Sequence, residues 1–255
     1  MTHRLFALII LFCISCSPMN TVLRNELTAL RAKDHVIIVM YGDELSWSGN
    51  EYDSGNTYGS MLKPRLQEFF GAQVSFINSS REYESFQYAS RRVEEDILSF
   101  RPDIVLVMLG RIDAFTQGLP LETHRRNVDN FLGALKHENR FVIVLTSPGL
   151  RNFAAMDPDD FEWYREYTQV IRTEARAYRY PVIDVEYRIR RVLLRDPVEY
   201  ISFFSDNVHL SEKGKIFIAD YIFQRFVSVM GDSEENLSAD APRSVGQGAV
   251  PGREE

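Results

Sequence analysis

The sequence predicts an α/β fold, a three-layer sandwich around one parallel sheet of about five strands. Runs of β-branched apolar residues without polar alternation mark strands covered on both faces. Amphipathic stretches of helical length lie between them, and strands alternating with helices imply parallel strands with helices on both sides. The 255 residues, 45% hydrophobic and 25% charged, suffice for one sizeable core, so a single domain is expected over residues 35–230.

The first strand is read at His35 to Met40 (HVIIVM), after a polar linker spanning residues 17–34. Comparable runs follow at Gln73 to Ile77, Asp103 to Leu109 and Phe141 to Leu145, with a shorter fifth at Pro181 to Val185. The intervening helices are read at Gly59 to Phe70, Ser85 to Phe100, Leu121 to His137, Asp159 to Tyr178 and Ser211 to Met230. In such sheets ligands bind beyond the carboxyl ends of the strands, so the loops beginning at Tyr41, Asn78, Gly110, Thr146 and Glu186 are where function is sought. Residues 231–255 are polar and rich in Gly, Pro and Ser, and read as a disordered tail.

The N-terminus has a basic start, an apolar run from Leu5 to Ile14 and then Ser15-Cys16. Residues 1–16 read as an export signal too short to span a bilayer as a stable helix. They look like a bacterial lipoprotein signal with Cys16 as the lipidated residue, although Cys13 stands where such signals usually have Leu. Cleavage without lipid and a retained anchor are the alternatives. The expected setting is the bacterial cell envelope, with the membrane as partner through the lipid anchor. Both cysteines lie in this segment, so disulfides, thiolate metal sites and cysteine nucleophiles are excluded from the folded domain. The net charge of −7 is spread along the chain, without the basic block a nucleic-acid partner would require.

The first strand runs into Tyr41-Gly42-Asp43-Glu44-Leu45-Ser46, the third into Leu109-Gly110-Arg111-Ile112-Asp113, and Asp206-Asn207-Val208-His209 leads with Gly214 into the last helix. In this order and spacing the blocks resemble those of the SGNH (GDSL) hydrolases. The resemblance implies an esterase-type pocket in which Asp206 orients His209 as general base. It places Glu44 at the family's nucleophilic serine and Ile112 at its oxyanion Asn. Asp43, Gly110, Arg111 and Asp113 flank those positions. In Asn78-Ser79-Ser80-Arg81-Glu82-Tyr83, Tyr83 falls on a family glycine, whose backbone N–H survives the change.

Glu44 cannot give a proton to His209 as a serine hydroxyl does, so acyl-enzyme chemistry is lost at that atom. An apolar Ile112 removes a donor of a kind worth about 2.7–4 kcal/mol of transition-state stabilisation. These changes favour a catalytically impaired binding or interaction module for a small ester, lipid or glycan. The alternative is an active ester hydrolase using Asp206 and His209 with water, Ser46 or Ser48 as nucleophile. The Asp206–His209 pair reads equally as a structural remnant.

Glu44 is expected to pair with Arg111 or with protonated His209. Tyr41, Trp47, Tyr52 and Tyr58 either stack against a ligand or cover the sheet edge. Asp43, Glu44, Asp113, Asp206 and His209 offer hard ligands but no metal-ligand spacing, so neither a metal nor a cofactor is expected.

Overall fold

A computed structural model of the chain describes residues 29–47, 55–136 and 140–230. The signal with Cys16, the linker up to residue 28, Ser48, Tyr52, His137 and the tail 231–255 lie outside these residues. Five parallel strands form the sheet: β1 (His35–Gly42), β2 (Gln73–Asn78), β3 (Ile104–Leu109), β4 (Phe141–Thr146) and β5 (Val182–Ile183), in the order β2-β1-β3-β4-β5. This order reverses direction between β1 and β3, which opens a crevice at their carboxyl ends. There Gly42 pairs with Met108, so Asp43 and Gly110 leave adjacent strand ends.

The helices are α1 (Tyr58–Phe70), α2 (Phe86–Ala89), α3 (Val93–Asp96), α4 (Arg111–Phe115), α5 (Leu121–Ala134), α6 (Glu162–Ala177), α7 (Val185–Arg195), α8 (Pro197–Ser202) and α9 (Glu212–Met230). Alternate residues of β1 divide the core into two layers, because successive strand side chains leave opposite faces. Val36, Ile38 and Met40 pack with Leu62 and Leu66 of α1 and with Ile218 and Ile222 of α9. Val39 and Tyr41 pack with Phe131 of α5 and Ile171 of α6 on the other face. Leu30 is also buried, so packing begins ahead of His35.

Several expected boundaries change. The helix read over Ser85 to Phe100 breaks into α2, α3 and a 3-10 turn at Leu98–Phe100. At the first break Ser90 Oγ donates to the Phe86 carbonyl at 2.6 Å, a side-chain bond that competes with helix continuation. The fifth strand keeps only Val182–Ile183, because Asp184 accepts from Tyr187 N–H and caps α7 where a loop was expected. A 3-10 turn at Pro158–Phe161 precedes α6. Among the described residues no helix is long and apolar enough to cross a membrane.

Candidate functional site

The chain turns sharply after β1. Leu45 N–H donates to Asp43 Oδ1 at 3.1 Å, while Ser46 and Trp47 N–H donate to the Asp43 carbonyl at 2.9 and 3.0 Å. Such an Asx turn needs Asp or Asn at its first position. Gly42 is required as well, since a Cβ there would lie 2.7 Å from the Met108 carbonyl. Asn78, at the end of β2, fixes the turn from below by donating from Nδ2 to the Ser46 carbonyl at 2.8 Å. Glu44 is thereby held at the crevice with 9% of its side chain exposed.

Across the crevice, Gly110 adopts φ +112 and starts α4, a conformation that L side chains rarely adopt. Arg111 follows with 1% exposure and sends its guanidinium back over the turn. Its Nη2 lies 2.7 Å from Glu44 Oε1, its Nε 3.8 Å from Asp43 Oδ2, and its Nη1 donates to the Val208 carbonyl at 3.1 Å. The Glu44 contact is an ion pair without hydrogen-bond geometry: among the described residues Nε and Nη2 have no acceptor, and Asp43 Oδ2 and Glu44 Oε2 have no donor. Burial pushes the Asp43 carboxyl up to about 7, with Arg111 opposing the shift and Glu44 adding to it.

The loop from Phe203 to Ser211 carries the expected pair. His209 Nδ1 meets Asp206 Oδ2 at 2.8 Å, and Asp206 Oδ1 accepts the N–H groups of Val208 and His209, both at 2.7 Å. Burial alone would raise the Asp206 carboxyl, yet the two backbone donors and the His209 ring hold it down to about 2. Both side chains are 56% exposed, and Nε2 of His209 has no partner among the described residues. Arg111 joins the two halves of the site, since Val208 immediately precedes His209.

The predicted residues do not all converge. Glu44 takes Arg111, and no described ion pair joins it to His209. Ser46 is fully buried and shares a hydrogen bond with Tyr58 Oη at 2.7 Å, so it is not the partner of the half-exposed His209. Tyr58 and Tyr41 are buried and present no stacking surface; Tyr41 donates to Glu84 at 2.9 Å. Trp47 is partly buried. Ile112 packs in the interior and offers no donor. Asp113 accepts from Phe86 N–H at 3.2 Å and faces the buried His124 at 3.5 Å. Tyr83 adopts φ +57 and is exposed, keeping the backbone form that a glycine takes for free. No three His, Cys, Asp or Glu side chains gather as metal ligands among the described residues.

Sequence reasoning missed two buried ionic clusters beside the crevice. Asp96 accepts from Arg81 and Arg92 beneath the loop after β2. Arg172 donates to Asp184 and Glu186 at the ends of β4 and β5, and Arg190 donates to the other oxygen of Glu186. The available signal was Arg and acid at helical i,i+4 spacing, as in Arg92–Asp96 and Glu186–Arg190, which usually describes a solvated face.

The sequence profile of the GDSL-like lipase/acylhydrolase family matches residues 25–215. Among solved structures, the lipase/acylhydrolase from Enterococcus faecalis is 21% identical over 76% of this chain and 96% of its own, with a TM-score of 0.61. The acetyl xylan esterase AlAXEase is 20% identical over 74% of this chain and 99% of its own, TM-score 0.62. A two-domain esterase (CEX) active on acetylated mannans is 18% identical over 88% of this chain and 57% of its own, TM-score 0.66. At these identities the likeness is one of fold. No curated protein sequence matches the chain.

Proposed function

The chain belongs to the GDSL-like lipase/acylhydrolase family, and from that premise we propose that it is a member retired from serine ester hydrolysis, acting as a binding or interaction module on the bacterial cell envelope. The observation that carries this reading is the buried Glu44–Arg111 pair at 2.7 Å. A carboxylate at the nucleophile position is neutralised by a guanidinium, so the acyl-transfer step has neither hydroxyl nor proton to use. Loss of a triad serine elsewhere costs about a millionfold in kcat. The ligand class is a small ester, a lipid or a glycan, bound at the crevice between β1 and β3. Cys16 is the lipid attachment point. A Cys16→Ala variant should leave the membrane fraction, and its retention there would remove the anchor.

The intact 2.8 Å contact between Asp206 and His209 supports a second reading, hydrolysis by water activated at the exposed His209 Nε2. Short-chain p-nitrophenyl esters separate the two. The first reading expects no turnover by the parent and at most a trace in Glu44→Ser. Parent activity that disappears in His209→Ala would establish the second.

A further inference from the structure

Arg111 combines full burial with incomplete satisfaction. Nη1 has an acceptor in Val208, while Nε and Nη2, one edge of the planar fork, lie near carboxylates without a hydrogen bond to either. That edge is the donor pair which grips a carboxylate through two oxygens. Glu44 meets it with one oxygen, Oε1, and its buried Oε2 has no hydrogen-bond partner among the described residues. A guanidinium withdrawn this far from water demands a counter-ion, because removing one member of a buried ion pair strands the other.

We propose that Arg111 is an anion socket at the β1/β3 switch point, that Glu44 is its built-in occupant, and that once Glu44 is truncated the external anion it takes is a small monocarboxylate. The atoms define the size. Truncation of Glu44 to Ala removes one methylene and the carboxylate, and acetate carries those same heavy atoms. Formate underfills the void and propionate overfills it by one methylene. In the intact protein Glu44 keeps the socket closed to anions. The inference goes beyond the pocket reading above, since it concerns the charge that closes the crevice and not the ligand bound there, and an anion titration and an ester assay fail separately.

The test is thermal unfolding of the full-length chain as parent, Glu44→Ala and Glu44→Ala/Arg111→Met, titrated with sodium acetate against sodium chloride at equal ionic strength. Acetate should raise the Tm of Glu44→Ala saturably, by roughly 5–10 °C at a hundredfold excess over Kd, as mass action gives a native-state ligand in a domain of this size. Propionate should act more weakly, and the parent and the double variant should show no acetate-specific rise. Equal effects of acetate and chloride on Glu44→Ala, or an acetate rise that survives in the double variant, would overturn the socket. If Glu44→Ala does not fold in chloride, recovery of folding in acetate supports the proposal. If it folds in neither salt, the double variant must fold, since Asp43, the acid left there without Arg111, can take up a proton whereas a stranded guanidinium cannot lose one. A double variant that also fails to fold would count against it.

Discussion

Gly214 sits directly against the backbone of Phe203: a Cβ at position 214 would lie 2.0 Å from the Phe203 carbonyl oxygen. The same carbonyl accepts Ser211 N–H at 2.9 Å, and Ser205 N–H closes the loop on the His209 carbonyl at 2.9 Å. The first turn of α9 is therefore fastened to the segment that presents Asp206 and His209. Gly214→Ala should destabilise the domain by about 1–3 kcal/mol, the range for overpacking a rigid contact. Urea unfolding reads this directly, and an unchanged midpoint would mean that the helix shifts without cost.

Asp206 provides a test of the exposed pair. Its carboxyl is held at about 2, below the ordinary 3.8, so its contribution to stability is present above pH 3.8 and is lost as pH falls through about 2. An NMR titration of the side-chain carboxyl should give a midpoint near 2. A midpoint at the ordinary value would show that the donated N–H groups of Val208 and His209 are not made in solution.

Asp43 should act in the opposite sense and in a separate window. Its folded value of about 7 exceeds the ordinary 3.8, so the stability it contributes is complete below about pH 3.8 and disappears as pH rises through 7. Asp43→Asn keeps an oxygen for Leu45 N–H but cannot ionise. Between pH 5 and 8 the parent should lose urea resistance relative to Asp43→Asn. Parallel curves for the two proteins would place the Asp43 titration elsewhere.

Asp96 is fully buried and accepts from Arg81 Nη2 at 3.0 Å and Arg92 Nε at 2.7 Å. Removing one partner of a buried ion pair costs about 3–5 kcal/mol; with both guanidiniums 30% exposed, Asp96→Asn should cost about 2–3 kcal/mol. Because Arg81 N–H also donates to the Gly42 carbonyl, the loop after β2 should loosen. Hydrogen exchange at residues 79–84 measures that, and protection equal to the parent would make the cluster incidental.

By itself the sequence determined the fold class, the strand runs of β1 to β4 and the family. Each rests on local information: an unbroken β-branched run marks a strand buried on both faces, and the order of the motif blocks survives any error in helix ends. Partner choice at the crevice was decided only by the tertiary structure. The strand order brings the ends of β1 and β3 side by side, and this gives Glu44 to Arg111 while His209 remains in solvent on its own loop. Ser46 was drawn to Tyr58, and Asp96 and Glu186 were buried, because neighbouring elements placed a hydroxyl or a guanidinium within reach. Periodicity specifies which face of a segment turns inward. Which polar group waits there depends on elements distant in sequence, and for a buried charge that neighbour decides between stability and collapse.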